Sequence, residues 1–340
     1  MTEDQRVGQM FIVGLRDNQL GSAEIAGIRT HHFGSVSFIK TTTIGVAGVR
    51  TVTDAVQTLA TRATTARVRF YVAANQEGGT IQALQGPGFS AIPSALDQVA
   101  IAAATLRAKA ATWAQELLAA GVNFDFAPVM DVVPRGTDAQ NQPIGVLHRE
   151  FGHDVATVSA HGISFFRGME GAGVTTSAKH FPGLGRVAGN TDFTANVVDT
   201  VTTSDDPYLQ TFRRAIEAGV PFVMVALASY PRIDSHRLAV FSPTVMGLLR
   251  NQMGFRGVIV SDDIGAAVAI SDIPPGKRAI DFLSAGGDLI ISKFVQPANR
   301  MAAAILSRVG NDEAFRARVD DAVMRILVAK DASGLLPCSA

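Results

Sequence analysis

The chain has 340 residues, of which 47% are hydrophobic and 18% charged, and its 30 basic residues balance its 30 acidic ones. This composition excludes a disordered chain, which would carry few apolar residues and a large net charge. With no net charge and no cluster of Lys and Arg, nucleic-acid and membrane partners are not expected, and we expect a partner selected by a pocket.

The first residues, MTEDQRVGQM, are polar and contain no apolar signal segment. No apolar run approaches the roughly 20 residues that a membrane helix needs. The single cysteine, Cys338, allows no intramolecular disulfide and gives no sign of an oxidising compartment. We therefore expect a cytoplasmic protein.

Short β-rich runs alternate with longer helical stretches along the chain. Strands are predicted at residues 10–13, 35–39, 70–73, 122–128, 175–178, 222–225, 258–260 and 288–291. Helical patterns occupy residues 96–120, 154–171, 205–218, 243–253 and 277–285, and several end in glycine just before the next strand. A final amphipathic helix is predicted at about 313–330.

Eight βα units without a break in composition favour an α/β fold, a single (β/α)8 or TIM barrel domain over residues 1–340. A doubly wound open sheet is the competing architecture, because periodicity alone does not reveal closure. The first βα turn, Gly14-Leu-Arg-Asp-Asn, lacks the GxGxxG phosphate cradle, which argues against a dinucleotide-binding fold.

Polar residues follow several of the predicted strands, and in a parallel barrel such residues gather at the C-terminal face. They are Asn75 after strand three, Asp131 after strand four with Arg149 in the loop beyond, Lys179 and His180 after strand five, and Asp262 and Asp263 after strand seven. Buried Lys and Asp side chains are costly unless paired, so this set indicates a functional site. Either aspartate at strand seven could instead cap the following helix.

Four segments carry a resemblance to a known family. KHFPGLGRVAGNTD, NQEGGTIQAL, FAPVMDV and GFRGVIVSDDIG occur in the same order as related motifs of the single-domain β-N-acetylglucosaminidases of glycoside hydrolase family 3. The similarity runs from about residue 9 to residue 291. It implies the barrel fold and a small saccharide or glycoside as substrate, with no cofactor and no metal.

The resemblance also implies roles for individual residues. Asp262 matches the nucleophile, which would form a covalent glycosyl-enzyme intermediate. Lys179, His180 and Arg149 match residues that hydrogen-bond sugar hydroxyls, and Asn75 and Asp131 are further expected substrate-binding residues.

The acid/base segment departs from the family pattern. Counted without gaps from Lys179, the family's Asp-Ser-His becomes Asn190-Thr191-Asp192, so Asp192 replaces the histidine acid/base and Asn190 its orienting aspartate. A carboxylic acid can protonate a leaving oxygen if burial or a second carboxylate raises its pKa. A retaining site needs Asp192 and Asp262 about 5–5.5 Å apart, and the glycine-rich loop 184–192 is expected to be mobile.

Other departures fall on substrate recognition. Asn75 replaces an aspartate that grips two sugar hydroxyls, Ala83 an arginine, Leu227 a histidine and Ala266 a methionine. An amide makes weaker hydrogen bonds to hydroxyls than a carboxylate does. We therefore expect a sugar preference different from that of the standard N-acetylglucosaminidases.

Together these features favour a retaining, exo-acting β-glycoside hydrolase that uses Asp262 and Asp192. Hydrolysis is favoured over phosphorolysis, because a second carboxylate would repel phosphate. The alternative is a catalytically inactive barrel that binds a glycan or a protein partner. A metal-dependent hydrolase is disfavoured, since the seven histidines form no HxH or HExxH spacing.

Overall fold

The computed structural model describes residues 1–337, and Cys338 lies outside the described residues. Eight parallel strands form a closed barrel in which each strand pairs with its neighbours in the chain, and the last strand pairs with the first. They are β1 Phe11–Leu15, β2 Ser35–Phe38, β3 Tyr71–Ala74, β4 Phe124–Asp125, β5 Thr175–Phe181, β6 Phe222–Val225, β7 Val258–Asp263 and β8 Leu289–Ser292. The predicted (β/α)8 barrel is thus confirmed.

Closure is visible in the register of β1. Ile12 pairs with Ser35 of β2 on one side and with Ile291 of β8 on the other. The eight strands are almost entirely buried on both faces, as expected for a parallel sheet surrounded by helices. An open sheet would leave β1 or β8 with an unpaired edge, so the doubly wound alternative is wrong.

Helices cover the outside of the barrel between the strands. The α-helices are Glu3–Gln9, Ser22–His31, Gly45–Gln57, Arg62–Thr65, Ala95–Gln98, Ala103–Ala119, Val155–Gly171, Gln210–Glu217, Pro243–Gly247, Pro275–Ala285, Val295–Val309 and Glu313–Ala332. Two short hairpins, Gln76–Gly78 with Ile81–Gln82 and Ser229–Tyr230 with Asp234–Leu238, decorate the C-terminal face of the barrel. Among residues 1–337, every helix is too short or too polar to cross a membrane.

Some predicted helices differ from those observed. The stretch predicted at 96–120 is interrupted after Gln98 because the side chain of Gln98 turns inward, where its Nε2 donates to the carbonyls of Glu77 and Pro93. The backbone is then extended at Ala102 before the next helix begins. The helix predicted at 205–218 starts later, since Asp206 caps a 3₁₀ turn that begins at Pro207.

The barrel interior is filled by aromatic rings at its N-terminal end. Tyr71, Phe124 and Phe222 stand at the starts of three strands, and their ring centroids lie 4.7–5.8 Å apart. Contact between rings from β4 and β6, which are not neighbours, shows that the rings meet inside the barrel. This packed layer fills the barrel interior at its N-terminal end.

At the C-terminal end, β1 and the residue after β8 approach each other closely. A Cβ atom at Gly14 would lie 2.2 Å from the carbonyl oxygen of Lys293, so no other residue fits there without movement. The approach brings the end of β8 to the rim of the cavity.

Candidate active site

The strand ends surround a cavity of about 280 Å³ at the C-terminal face. Its walls include polar side chains from six of the barrel strands or the loops after them, together with the 190–193 segment. The polar members are Ser37, Asn75, Arg149, Lys179, His180, Asn190, Thr191, Asp192, Asp262, Asp263 and Lys293. The site residues predicted from the sequence therefore converge on one cavity, with the exception of Asp131.

A buried ion network underlies one wall. Glu77 accepts from Lys179 Nζ at 2.6 Å and from Arg149 Nη2 and Nε at 2.7 and 2.8 Å. Burial alone would raise the pKa of Glu77, but the two cations outweigh it and lower that pKa to about 2. Glu77 is therefore ionised, and it holds both cations at the cavity wall.

Asn75 belongs to the same network. Its Oδ1 accepts from Lys179 Nζ at 2.7 Å, which fixes the orientation of the amide. The amide then has two N–H donors to offer elsewhere. Lys179 thus bridges Glu77 and Asn75, and the position where the family has an aspartate is filled by a group that also donates.

Asp131 lies beneath the cavity rather than in its wall. Its Oδ2 is 2.8 Å from Nδ1 of His180, and its Oδ1 accepts from the backbone N–H groups of His180 and Leu184 at 3.1 and 3.0 Å. The side chain is fully buried. We therefore revise the role expected of Asp131 from a contact with substrate to the positioning of His180, whose Nε2 is left for the cavity.

The two aspartates at the end of β7 differ in their surroundings. Asp262 is half-buried, lines the cavity and accepts through Oδ1 from the N–H of Asp263 at 2.8 Å. Asp263 is almost fully buried, and its Oδ1 accepts from the N–H groups of Gly265 and Lys293 at 2.9 and 3.0 Å. Burial raises the pKa of Asp263 to about 6. Asp263 thus stabilises the turn, and Asp262 is the carboxylate available to a ligand.

Asp192 reaches the cavity from the loop after β5. Its Oδ2 accepts from Lys293 Nζ at 3.1 Å, and its N–H donates to Asn190 Oδ1 at 3.0 Å. The carbonyls of Thr191 and Asp192 accept from Ala269 and Val268 at 3.1 and 3.3 Å, so the loop is docked on the segment after β7. Mobility of the 184–192 loop stays a prediction, and the structure describes its docked position.

The base of this loop is held by side chains of other loops. Asn141 Nδ2 donates to the carbonyls of Leu184 and Val187, both at 2.7 Å. Arg186 forms an ion pair with Asp206 at 2.7 Å. A Cβ atom at Gly185 would lie 1.9 Å from the carbonyl oxygen of Val132, so a glycine is needed for the loop to pass.

Lys293 is a site residue that sequence reasoning missed. Its Nζ lies 3.1 Å from Asp192 and 3.8 Å from Asp263. Burial disfavours its charged form, but Asp192 and Asp263 outweigh this effect and raise the pKa of its ammonium group. The signal that could have found it is its position directly after the last strand, Leu289–Ser292, at the same face as the other polar residues.

Phe193 is a second cavity residue that was not predicted from the sequence. It lines the cavity next to Asp192, yet 78% of its surface is exposed. An exposed aromatic ring at a cavity rim is an apolar platform for a ligand that extends out of the cavity.

Comparison with known proteins gives a consistent result. Residues 2–329 match the family described as the glycosyl hydrolase family 3 N terminal domain. The crystal structure of a β-N-acetylhexosaminidase from Beutenbergia cavernae superimposes with a TM-score of 0.96 at 45% identity, covering 97% of this chain and 99% of that one.

Two curated relatives match the sequence of this chain over part of their own length. A β-hexosaminidase of Vibrio cholerae is 34% identical over 223 residues, which is 65% of this chain and 64% of the relative. A β-N-acetylglucosaminidase/β-glucosidase of Cellulomonas fimi is 32% identical over 308 residues, covering 86% of this chain and 53% of the relative. The match thus spans less than two thirds of either relative.

Proposed function

The chain belongs to glycosyl hydrolase family 3, and from this premise we propose that it is a retaining, exo-acting β-glycoside hydrolase of the N-acetylhexosaminidase type. Asp262 is the proposed nucleophile and Asp192 the proposed acid/base. The observation that carries the proposal is that both carboxylates line one cavity, Asp262 from the end of β7 and Asp192 from the loop after β5, at the face where barrel enzymes hold their substrates.

In the first step, an Asp262 oxygen attacks the anomeric carbon while the bond to the leaving oxygen breaks, and Asp192 supplies the proton that this oxygen takes up. The product is a glycosyl ester on Asp262. In the second step, Asp192 removes a proton from water, the water oxygen bonds to the anomeric carbon, and the ester bond to Asp262 breaks. The anomeric configuration is retained because two inversions occur.

Sugar hydroxyls would be bound by the cavity wall that the buried ion network underlies. Arg149, Lys179 and His180 offer donors whose orientation is fixed by Glu77 and Asp131. Such prepared donors lose little entropy when a sugar binds. Asn75 would contribute a neutral contact where the family has a charged one, which supports a changed preference for the sugar. Phe193 would receive the aglycone at the rim.

The first experiment identifies the nucleophile. The full chain is treated with 2-fluoro glycosides of glucose and xylose and with a 5-fluoro N-acetylglucosaminyl fluoride, and digested peptides are examined by mass spectrometry. We expect a mass adduct on the peptide that contains Asp262, and a loss of aryl glycoside turnover of at least about 10⁴-fold in Asp262→Asn. Asp281→Asn, at a partly exposed carboxylate on the helix Pro275–Ala285, is the matched control and should keep full activity.

A second set of outcomes would contradict the proposal. Aryl N-acetylglucosaminide, glucoside, xyloside and arabinofuranoside are screened together, with and without inorganic phosphate. If none is turned over and no adduct forms, the inactive glycan- or protein-binding barrel is the better reading. Formation of a sugar 1-phosphate would show that phosphate, and not water, is the acceptor.

A further inference from the structure

A second cluster of polar side chains lies outside the cavity, in the long loop between β4 and the helix Val155–Gly171. It consists of Asp138, Glu150 and His153, whose ligating atoms all lie within 4.8 Å of one another. His153 Nδ1 is 3.5 Å from Asp138 Oδ1. None of the three residues lines the proposed catalytic cavity.

Glu150 is the member of this cluster whose burial is not explained by any hydrogen bond or ion pair that the structure describes. Its side chain is fully buried, and neither carboxylate oxygen has a hydrogen-bond partner in the described part of the chain. The buried Oδ1 of Asp138 also lacks one. By contrast, the buried Glu77 has two cations and Asp131 has three N–H donors.

A buried carboxylate without donors costs several kcal/mol unless something compensates its charge. Its neighbours in the cluster are a second carboxylate and an imidazole, so no Lys or Arg ion pair serves it among residues 1–337. The two carboxyl groups and the imidazole lie close enough together to hold one cation, with His153 binding through the nitrogen that does not donate to the carbonyl oxygen of Val133.

We propose that Asp138, Glu150 and His153 bind a divalent transition-metal ion, for which Zn²⁺ is the best candidate. Two carboxylate oxygens and one imidazole nitrogen are ligands that zinc accepts, with water in the fourth position. The histidine disfavours Mg²⁺ and Ca²⁺, which prefer oxygen ligands alone. In tetrahedral zinc sites the ligand atoms are roughly 3.3 Å apart, so the cluster needs to contract by an ångström or so.

The ion would stabilise the loop that carries part of the catalytic wall. Arg149 is adjacent to Glu150 in the chain, and Asn141, which holds the carbonyls of Leu184 and Val187, lies three residues after Asp138. Binding at the cluster would therefore fix residues 138–153. This segment carries Arg149, and through Asn141 it also holds the base of the docked 184–192 loop. The role is structural, and it does not depend on the proposed function.

The test uses the full chain after treatment with a chelator. ZnCl₂ is titrated by calorimetry, and bound zinc is counted by elemental analysis after dialysis. We expect one equivalent for the wild-type chain and a rise in Tm of a few degrees, with affinity reduced at least 30-fold in both Glu150→Gln and His153→Asn. His148→Asn, an exposed histidine five residues away, is the matched control and should bind zinc like the wild type.

Other results would overturn the proposal. If the wild-type chain binds no zinc and its Tm does not change, the cluster is a pair of carboxyl groups that share a proton. Equal zinc binding by His153→Asn and the wild type would place the ion elsewhere. His153 is only partly buried, so its variant decides the question even if Glu150→Gln does not fold.

Discussion

At the scale of single residues, Asp262 and Asp263 at the end of β7 are neighbours in the chain but have different structural roles. Both aspartates line the cavity, and they differ in burial and in hydrogen-bond partners. Asp263 is buried and accepts from two backbone N–H groups beyond the strand, whereas Asp262 is only half-buried. The sequence alone left both aspartates as possible caps, because the capping donors come from the turn and from the distant Lys293.

Asp192→Ala tests the proposed acid/base. Aryl glycosides with good leaving groups need little protonation, so the first step should persist and give a burst of released phenol. The second step should slow by about 10²–10⁴-fold, because no base activates water. Added azide, which needs no base, should restore turnover and give a β-glycosyl azide. Turnover that remains at the wild-type rate without azide would argue for another acid/base.

Lys293→Met tests whether Lys293 positions Asp192. Without the ammonium group the Asp192 carboxylate loses its 3.1 Å contact, and we expect kcat for poor leaving groups to fall by about 10²-fold. KM should change little, because the sugar-binding wall is formed by other residues. Lys293→Arg should recover part of kcat. An equal loss in KM and in thermal stability would instead indicate a general structural defect.

Site residues could be predicted from the sequence only where they follow a strand within a recognisable motif. Asn75, Lys179, His180 and Asp262 satisfy this condition, and all four line the cavity. Asp131 satisfies it too, but its burial beneath His180 depends on how the loop folds back. The cluster of Asp138, Glu150 and His153 was missed because its members are joined by a loop with no regular spacing.

At the scale of elements, strands were predictable and helix boundaries less so. Most strands are short runs dominated by apolar residues, which is the pattern expected of strands buried on both faces of a parallel sheet. The interruption after Gln98 was not predictable, because the alanine-rich stretch that follows suits a helix throughout. The break arises from Gln98 side-chain bonds to Glu77 and Pro93, which are tertiary contacts.

The helix Val155–Gly171 carries a carboxyl group that links stability to pH. Glu170 pairs with Thr176 of β5, and burial raises its pKa from the usual 4.5 to about 7. The folded state therefore holds a proton more tightly than the unfolded state does. This contribution is fully present below pH 4.5 and is lost as the pH rises through 7.

Glu170→Gln should remove that dependence. We expect the free energy of unfolding of the wild type, measured relative to Glu170→Gln, to fall by up to roughly 3 kcal/mol between pH 4.5 and 7. Urea unfolding of both proteins at several pH values provides the measurement, and groups common to both cancel in the difference. A difference that stays constant with pH would show that Glu170 has the same pKa in the folded and unfolded states.

At the scale of the whole molecule, the barrel is closed at its N-terminal end by the last helix. Lys330, on the helix Glu313–Ala332, is fully buried. Its Nζ donates to Gln9 Oε1 at 2.8 Å, to the carbonyl of Gly34 at 2.7 Å and to the carbonyl of Arg69 at 3.1 Å. One side chain thus joins three segments that precede β1, β2 and β3, far apart in the chain.

Lys330→Met keeps the length of the side chain but leaves those three acceptors without a donor. Each buried acceptor that loses its partner costs about 1–3 kcal/mol, while the variant no longer has to bury an ammonium group. We therefore expect the free energy of unfolding to fall by ~3 kcal/mol, seen as a lower denaturation midpoint.

Lys277→Met, at an exposed lysine paired with Asp281, is the control and should change the midpoint little. Since the proposed catalytic cavity lies at the opposite end, kcat should be unchanged at temperatures where the variant is folded. Midpoints that coincide for Lys330→Met and the wild type would mean that packing of the last helix, and not this lysine, closes the barrel.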